Sequence, residues 1–203
     1  MASRVRAGLR PGRLVAAATT AAAGRAVYRQ VVSGALTLDS GMGRRVAPLG
    51  PLTIDIDAPR GLVFEVIAAP YLGEAGSSGS HIEVLERGAD LVVAAHHTPL
   101  PRGKVATTVE AVGFDPPREV TFRLLRGPVP HVTETFVLDE VGEGTRLTYE
   151  GEMGTDYWAL GELWGKLVAR IWVRTVESSL AGIRERSEQR AAAHRRRSSG
   201  DQA

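Results

Sequence analysis

Residues 156–190 read DYWALGELWGKLVARIWVRTVESSLAGIRERSEQR, a stretch without proline. Leu160, Trp164, Leu167, Val168, Ile171, Trp172, Val176, Leu180 and Ile183 recur in it at steps of three and four. That period predicts one long amphipathic helix, with Asp156 placed to cap it. The preceding chain has a different period. Strand-like runs at His81–Arg87, Leu91–Thr98, Lys104–Phe114, Glu119–Leu125, His131–Asp139 and Thr145–Glu152 are separated by turns rich in glycine and proline. Short strands punctuated this way predict an antiparallel meander.

Upstream, Leu52-Thr53-Ile54-Asp55-Ile56-Asp57 alternates apolar and polar residues and reads as a half-buried strand. Ala58-Pro59 opens a helix with Asp57 as its expected cap, carrying Leu62, Val63, Val66 and Ile67 and ending at Pro70. Tyr71–Ser80 reads as a short helix or loop. The expected fold is α+β: a curved antiparallel sheet in the order β-α-α-β6-α, wrapped around the long C-terminal helix. A curved sheet gripping one helix rarely fills the space between them, so an internal cavity is expected.

Three motifs carry a resemblance. They are Ile54-Asp55-Ile56-Asp57-Ala58-Pro59 running into Val63-Phe64-Glu65-Val66-Ile67, then Phe114-Asp115-Pro116-Pro117-Arg118, and Gly144-Thr145-Arg146-Leu147-Thr148. Residues 51–190 thereby resemble the START-like, Bet v 1-like (SRPBCC) superfamily, of the polyketide cyclase/dehydrase and lipid-transport type. The resemblance implies a helix-grip fold and a hydrophobic small-molecule ligand. It brings no catalytic residue with it, because no catalytic motif of the superfamily matches position by position.

Charge divides the chain of 203 residues in three. Residues 1–50 have eight arginines against Asp39, residues 51–183 carry a net −8, and residues 184–203 a net +3. The acidic middle opposes a nucleic-acid-binding face. There is no cysteine, which excludes thiol nucleophiles and thiolate metal sites. The five histidines show no metal-ligand spacing and the glycines form no phosphate loop, so neither metal nor cofactor is expected.

Residues 1–50 are read as a basic segment with a linker or an extended arm at 40–51, where Gly41, Gly43, Pro48, Gly50 and Pro51 cluster. Its start has the outline of a secretory signal, with weakly apolar residues, Leu14–Gly24, flanked by arginines. Residues 1–36 also suit an amphipathic helix on an anionic membrane surface, or an Ala-rich helix loosely docked or disordered. The expected location is the cytoplasm, with membrane association through this segment. Residues 191–203 read as a basic disordered tail.

Strand parity names the inner face, since alternate residues share a side. Val120, Phe122 and Leu124 point one way, and Val132, Glu134, Phe136 and Leu138 follow. So do Leu147 and Tyr149. With Val112 and Phe114 facing in, Glu110 and Thr108 do too, and pairing across the Pro99–Gly103 turn puts Val92, Ala94 and His96 on the same face. Phe122, Leu124, Phe136, Tyr149, Trp164 and Trp172 are therefore the expected ligand-lining residues. Glu110, Glu134 and His96 are the candidate polar groups, since buried carboxyls need partners or raised pKa values. Two functions remain open: a carrier or sensor of a lipid, polyketide-like or isoprenoid molecule, and a cyclase or dehydratase using these three residues as acid and base.

Overall fold

The structure is a computed structural model that describes residues 11–73, 81–100 and 103–200. An N-terminal helix α1 (Pro11–Val32) is followed by β1 (Arg45–Ile56), α2 (Arg60–Leu72), β2 (Ile82–Arg87), β3 (Leu91–Leu100) and β4 (Lys104–Asp115). β5 (Glu119–Arg126), β6 (His131–Val141), β7 (Gly144–Thr155) and α3 (Trp158–Gly200) complete the chain. The strands form one antiparallel sheet in the order β1-β7-β6-β5-β4-β3-β2. Chain reversal at each turn makes neighbours of β2 to β7, and β1 closes the far edge by pairing with β7.

Parity holds across the sheet. His96 pairs with Thr108, Ala94 with Glu110, Val112 with Phe122, Phe122 with Glu134, and Phe136 with Tyr149. Val112, Val120, Val132, Leu138, Leu147 and Tyr149 are fully buried. Against this face pack Val63, Phe64, Val66, Ile67 and Tyr71 of α2 and Val168, Val176, Leu180 and Ile183 of α3. Thr145 Oγ1 donates to the carbonyl of Ala58 at 2.7 Å, tying the entry of α2 to β7.

Several expectations change. Residues 45–50, read as a linker or an extended arm, are extended and belong to β1: Arg45 to Leu49 pair with Thr155 to Gly151, and a register shift separates them from Leu52 onward. Glycines and prolines mark this irregularity in the strand rather than a break in the fold. α2 continues past Pro70 to Leu72, and Tyr71 is buried. Asp57 does not cap α2; its N–H donates to Glu188 and its carboxylate faces Arg195. The tail read as disordered continues α3 to Gly200, with Ala191 buried. The short helix or loop expected at 71–80 lies, beyond Gly73, outside the described residues, as do residues 1–10.

Asp156 does not cap α3 either. Its buried carboxylate accepts from Arg44 Nε (2.8 Å), the N–H groups of Ser40 (2.7 Å) and Gly41 (2.8 Å), and Ser40 Oγ (3.1 Å). Arg44 also bridges to Asp39. These bonds hold the Asp156 carboxyl well below the usual carboxylate range, with the Arg44 bond the largest influence. A carboxyl lowered by folding lends stability above its unfolded value and loses it as the pH falls towards the folded one. Acidification is therefore expected to loosen residues 39–44, read as faster proteolytic cleavage within that segment before global unfolding. Cleavage that keeps pace with global unfolding would contradict this.

Candidate functional site

The inward polar groups come from four strands, β3, β4, β6 and β7, and from α2 and α3. Glu110 and Glu134 are only 3 % and 8 % exposed. Tyr149 Oη and Trp172 Nε1 both donate to Glu134 Oε1, each at 2.6 Å. Trp172 is brought there by α3, which turns its indole toward β6. Glu134 Oε2 has no hydrogen-bond partner among the described residues. Because Oε1 already accepts two donors, a proton on this carboxyl belongs on Oε2.

Glu110 is arranged in a similar way. Thr108 Oγ1 donates to its Oε1 at 2.8 Å, while Oε2 lies 3.6 Å from His96 Nδ1, too far for a formed hydrogen bond. Tyr71 Oη stands 3.4 Å from the other ring nitrogen of His96. Burial pushes the Glu110 carboxyl up to about 7 against the opposing effect of Thr108. Burial, reinforced by the charge of Glu110, pushes Glu134 up to about 7. Burial pushes His96 down to about 4, and it raises both Tyr71 and Tyr149. Between about pH 4 and pH 7 the His96–Glu110 pair is therefore neutral on both sides.

Aromatic rings surround these groups as a continuous chain. Phe64, Phe114, Tyr71, Phe122, Phe136 and Tyr149 follow one another with centroid separations of 5.4–6.5 Å, mostly edge to face. His96 joins it through Tyr71 and Phe122. Apolar ring faces and neutral carboxyl and hydroxyl groups are thus brought together in one interior.

Among the residues singled out from sequence, Phe122, Phe136, Tyr149, Glu110, Glu134, His96 and Trp172 converge on this interior, with Leu124 half-buried beside it. Trp164 is half-buried at the margin, where its Nε1 donates to the Pro128 carbonyl at 2.8 Å. Trp158 is exposed. Tyr71 was missed because it follows Pro70, which reads as the end of the helix. Phe64 was quoted only within a family motif, yet its apolar position in a helix was a usable signal, whereas Phe114 was placed inward by parity.

Two external concavities, of about 420 and 380 Å³, lie elsewhere. The first is on the outer sheet face, among Ala111, Gly113, Thr121, Arg123, Thr133 and Thr135, and Phe122 and Glu134 of the inner face also contribute to its lining. The second lies between the ends of β1 and β7 and α3, among Asp55, Asp57, Glu143, Arg184 and Glu188. Neither includes Glu110, His96, Tyr149 or Trp172. No group of metal-ligating side chains occurs among the described residues.

A curved seven-stranded sheet gripping a long helix over an aromatic interior defines a helix-grip protein of the Bet v 1-like class. The chain belongs to the polyketide cyclase / dehydrase and lipid transport family, whose sequence pattern matches residues 52–188. Solved structures agree on the fold. The Zhui aromatase/cyclase from Streptomyces sp. R1128 is 19 % identical with a TM-score of 0.56, covering 72 % of this chain and 95 % of that one. TTHA0849 from Thermus thermophilus is 25 % identical with a TM-score of 0.53, covering 70 % and 97 %. The di-domain ARO/CYC BexL from the BE-7585A biosynthetic pathway is 20 % identical with a TM-score of 0.50, covering 73 % of this chain and 50 % of that protein. No curated protein sequence matches the chain. No helix among the described residues is long and apolar enough to cross a membrane.

Proposed function

We propose that the protein encloses a hydrophobic, oxygen-bearing small molecule of the lipid, polyketide-like or isoprenoid kind between its sheet and α3, as a carrier or sensor. The observation that carries this reading is Glu134: a buried carboxyl on the inner strand face with both protein donors on one oxygen and no hydrogen-bond partner among the described residues on the other. In its neutral form that second oxygen donates to a ligand carbonyl or hydroxyl. Membership of the family supports an apolar ligand. Gently purified protein incubated with a lipid extract is expected to retain an apolar ligand in native mass spectrometry. Tyr149→Phe is expected to weaken retention about tenfold, since one buried hydrogen bond that orients Glu134 is lost. Absence of any retained or exchangeable apolar molecule would refute the proposal.

A second reading rests on the Glu110–His96 pair. A neutral carboxyl with its free oxygen 3.6 Å from a neutral imidazole can pass a proton to and from a bound polyketide-like substrate, as a cyclase or dehydratase requires. Glu110→Gln is expected to abolish turnover of a poly-β-carbonyl substrate while ligand retention persists. Turnover equal to that of the unaltered protein would remove this reading.

A further inference from the structure

A helix laid on a sheet normally turns polar residues to water. The first half of α3 does not. Leu160, Leu163, Leu167 and Ile171 follow one another at three- and four-residue steps and are 74 %, 70 %, 48 % and 41 % exposed. They lie away from the buried Val168, Val176 and Leu180 of the same helix. The stripe extends about 16 Å along the helix axis.

Cations accompany it. Arg170 and Arg174 are exposed, stand one turn apart, and have no hydrogen-bond or ion-pair partner among the described residues. Lys166, one turn earlier, is 67 % exposed although it pairs with Glu162, which also engages Arg45. Glu177 is the acid just beyond Arg174. Tyr28 of α1 meets Trp164 edge to face at 6.1 Å, which brings α1 alongside. Val27 and Tyr28 are half exposed, and Arg25 and Arg29 are exposed one turn apart. Tyr157 and Trp158 expose aromatic rings at the start of α3.

We infer that this face docks on an anionic lipid bilayer, with the aliphatic stripe entering the headgroup boundary and the arginines meeting lipid phosphates. A bilayer offers an apolar layer and an anionic surface side by side, as the stripe and its cations require. A second copy of the chain is the poorer occupant. A parallel pairing along the stripe would set Arg170 and Arg174 near their own copies, and an antiparallel one would set them against the start of the other helix, where Glu162 is already engaged. The inference concerns the outside of the helix and stands independently of what the interior holds.

Flotation of the full chain with phosphatidylcholine vesicles, with and without phosphatidylserine, tests it. The protein is expected to float with the phosphatidylserine vesicles and to be released by high salt. The double substitution Leu163→Asp with Leu167→Asp removes two aliphatic side chains from the bilayer and is expected to weaken partitioning on the order of a hundredfold. Arg170→Gln with Arg174→Gln is expected to weaken it about 25-fold. All four positions are exposed, and a thermal melt confirms that each variant is folded. Absence of flotation by the unaltered protein would overturn the inference. So would flotation of both double variants equal to that of the unaltered protein. A dimer that the Asp variant converts to a monomer, with no flotation by either form, would assign the face to a second copy instead.

Discussion

Glu134→Ala is expected to destabilise the protein by about 3 kcal/mol at acidic pH, through two buried donors that lose their carboxyl acceptor and a small cavity. Tyr149 Oη and Trp172 Nε1 both lose Glu134, and each is left with the other as its hydrogen-bonding neighbour. Glu134→Gln behaves in the opposite way, because the amide oxygen can replace Oε1 for both donors without adding charge. The pH dependence separates the two effects. Folding raises the Glu134 carboxyl from 4.5 to about 7. Between those values the folded protein holds a proton that the unfolded chain releases, so stability is full below the unfolded value and falls as pH rises to the folded one. That loss amounts to about 2–3 kcal/mol for one such group. Glu110 titrates in the same window and interacts with Glu134, so the two losses are not additive. Urea unfolding across this range should show a slope that Glu134→Gln reduces, leaving the Gln protein the more stable above neutrality. Parallel pH curves for the two proteins would show that Glu134 is not the buried acid described here.

Gly161→Ala is expected to cost about 3 kcal/mol, against the usual gain of about 1 kcal/mol when alanine replaces glycine in a helix. An added Cβ would sit 1.6 Å from the carbonyl oxygen of Asp156 and 2.7 Å from its carbon. Both are backbone atoms, so no side-chain rotation relieves the clash. The turn between them is constrained: Tyr157 and Trp158 occupy the left-handed region at φ 69° and 51°. Their N–H groups donate to the carbonyls of Met42 (2.8 Å) and Gly43 (3.1 Å). Moving the Asp156 carbonyl therefore disturbs the carboxylate that gathers Ser40, Gly41 and Arg44. Gly182→Ala is the control. Its Cβ meets only the mobile end of Arg186, at 3.3 Å, and a gain approaching 1 kcal/mol is expected. Denaturant unfolding of both variants reads the difference, and equal stability for the two would disprove this account of the junction.

Both expectations depend on features of different legibility in the sequence. Alternation alone placed Glu110 and Glu134 on the inner face, because a strand's period of two leaves no other side for them once Phe122, Phe136 and Tyr149 turn inward. Pairing across the Pro99–Gly103 turn placed His96 on the face of Thr108 and Glu110, and the folded ladder sets His96 directly opposite Thr108. Trp172 was recognised as an inward residue of α3, but its bond to Glu134 was not, since residues 38 apart have no local relation that sequence can express. Tyr71 escaped for a local reason: a proline before it reads as a helix end, yet α2 continues for two residues beyond Pro70.

The role of Asp156 shows the same limit at another scale. A lone acid before a helical pattern reads as a cap, and only the folded chain brings Ser40, Gly41 and Arg44 within 4 Å of it. Local periodicity also assigned Leu160, Leu167 and Ile171 to the covered stripe of the long helix. Apolar period shows that a helix has an apolar face but not how far the sheet beneath it extends. On α3 the sheet and α2 cover Val168, Val176, Leu180 and Ile183, and leave Leu160, Leu163, Leu167 and Ile171 in water.

By itself the sequence determined the helix-grip architecture, the inner face of each strand and the presence of inward carboxyls, because these follow from periods of 2 and 3.6 acting over a few residues. Tertiary structure alone decided which donors meet those carboxyls, how the N-terminal arm is held, and which apolar face of the long helix stays exposed. Each of these depends on contacts between segments distant in the chain, whose distances and desolvation exist only after the sheet has closed on the helix.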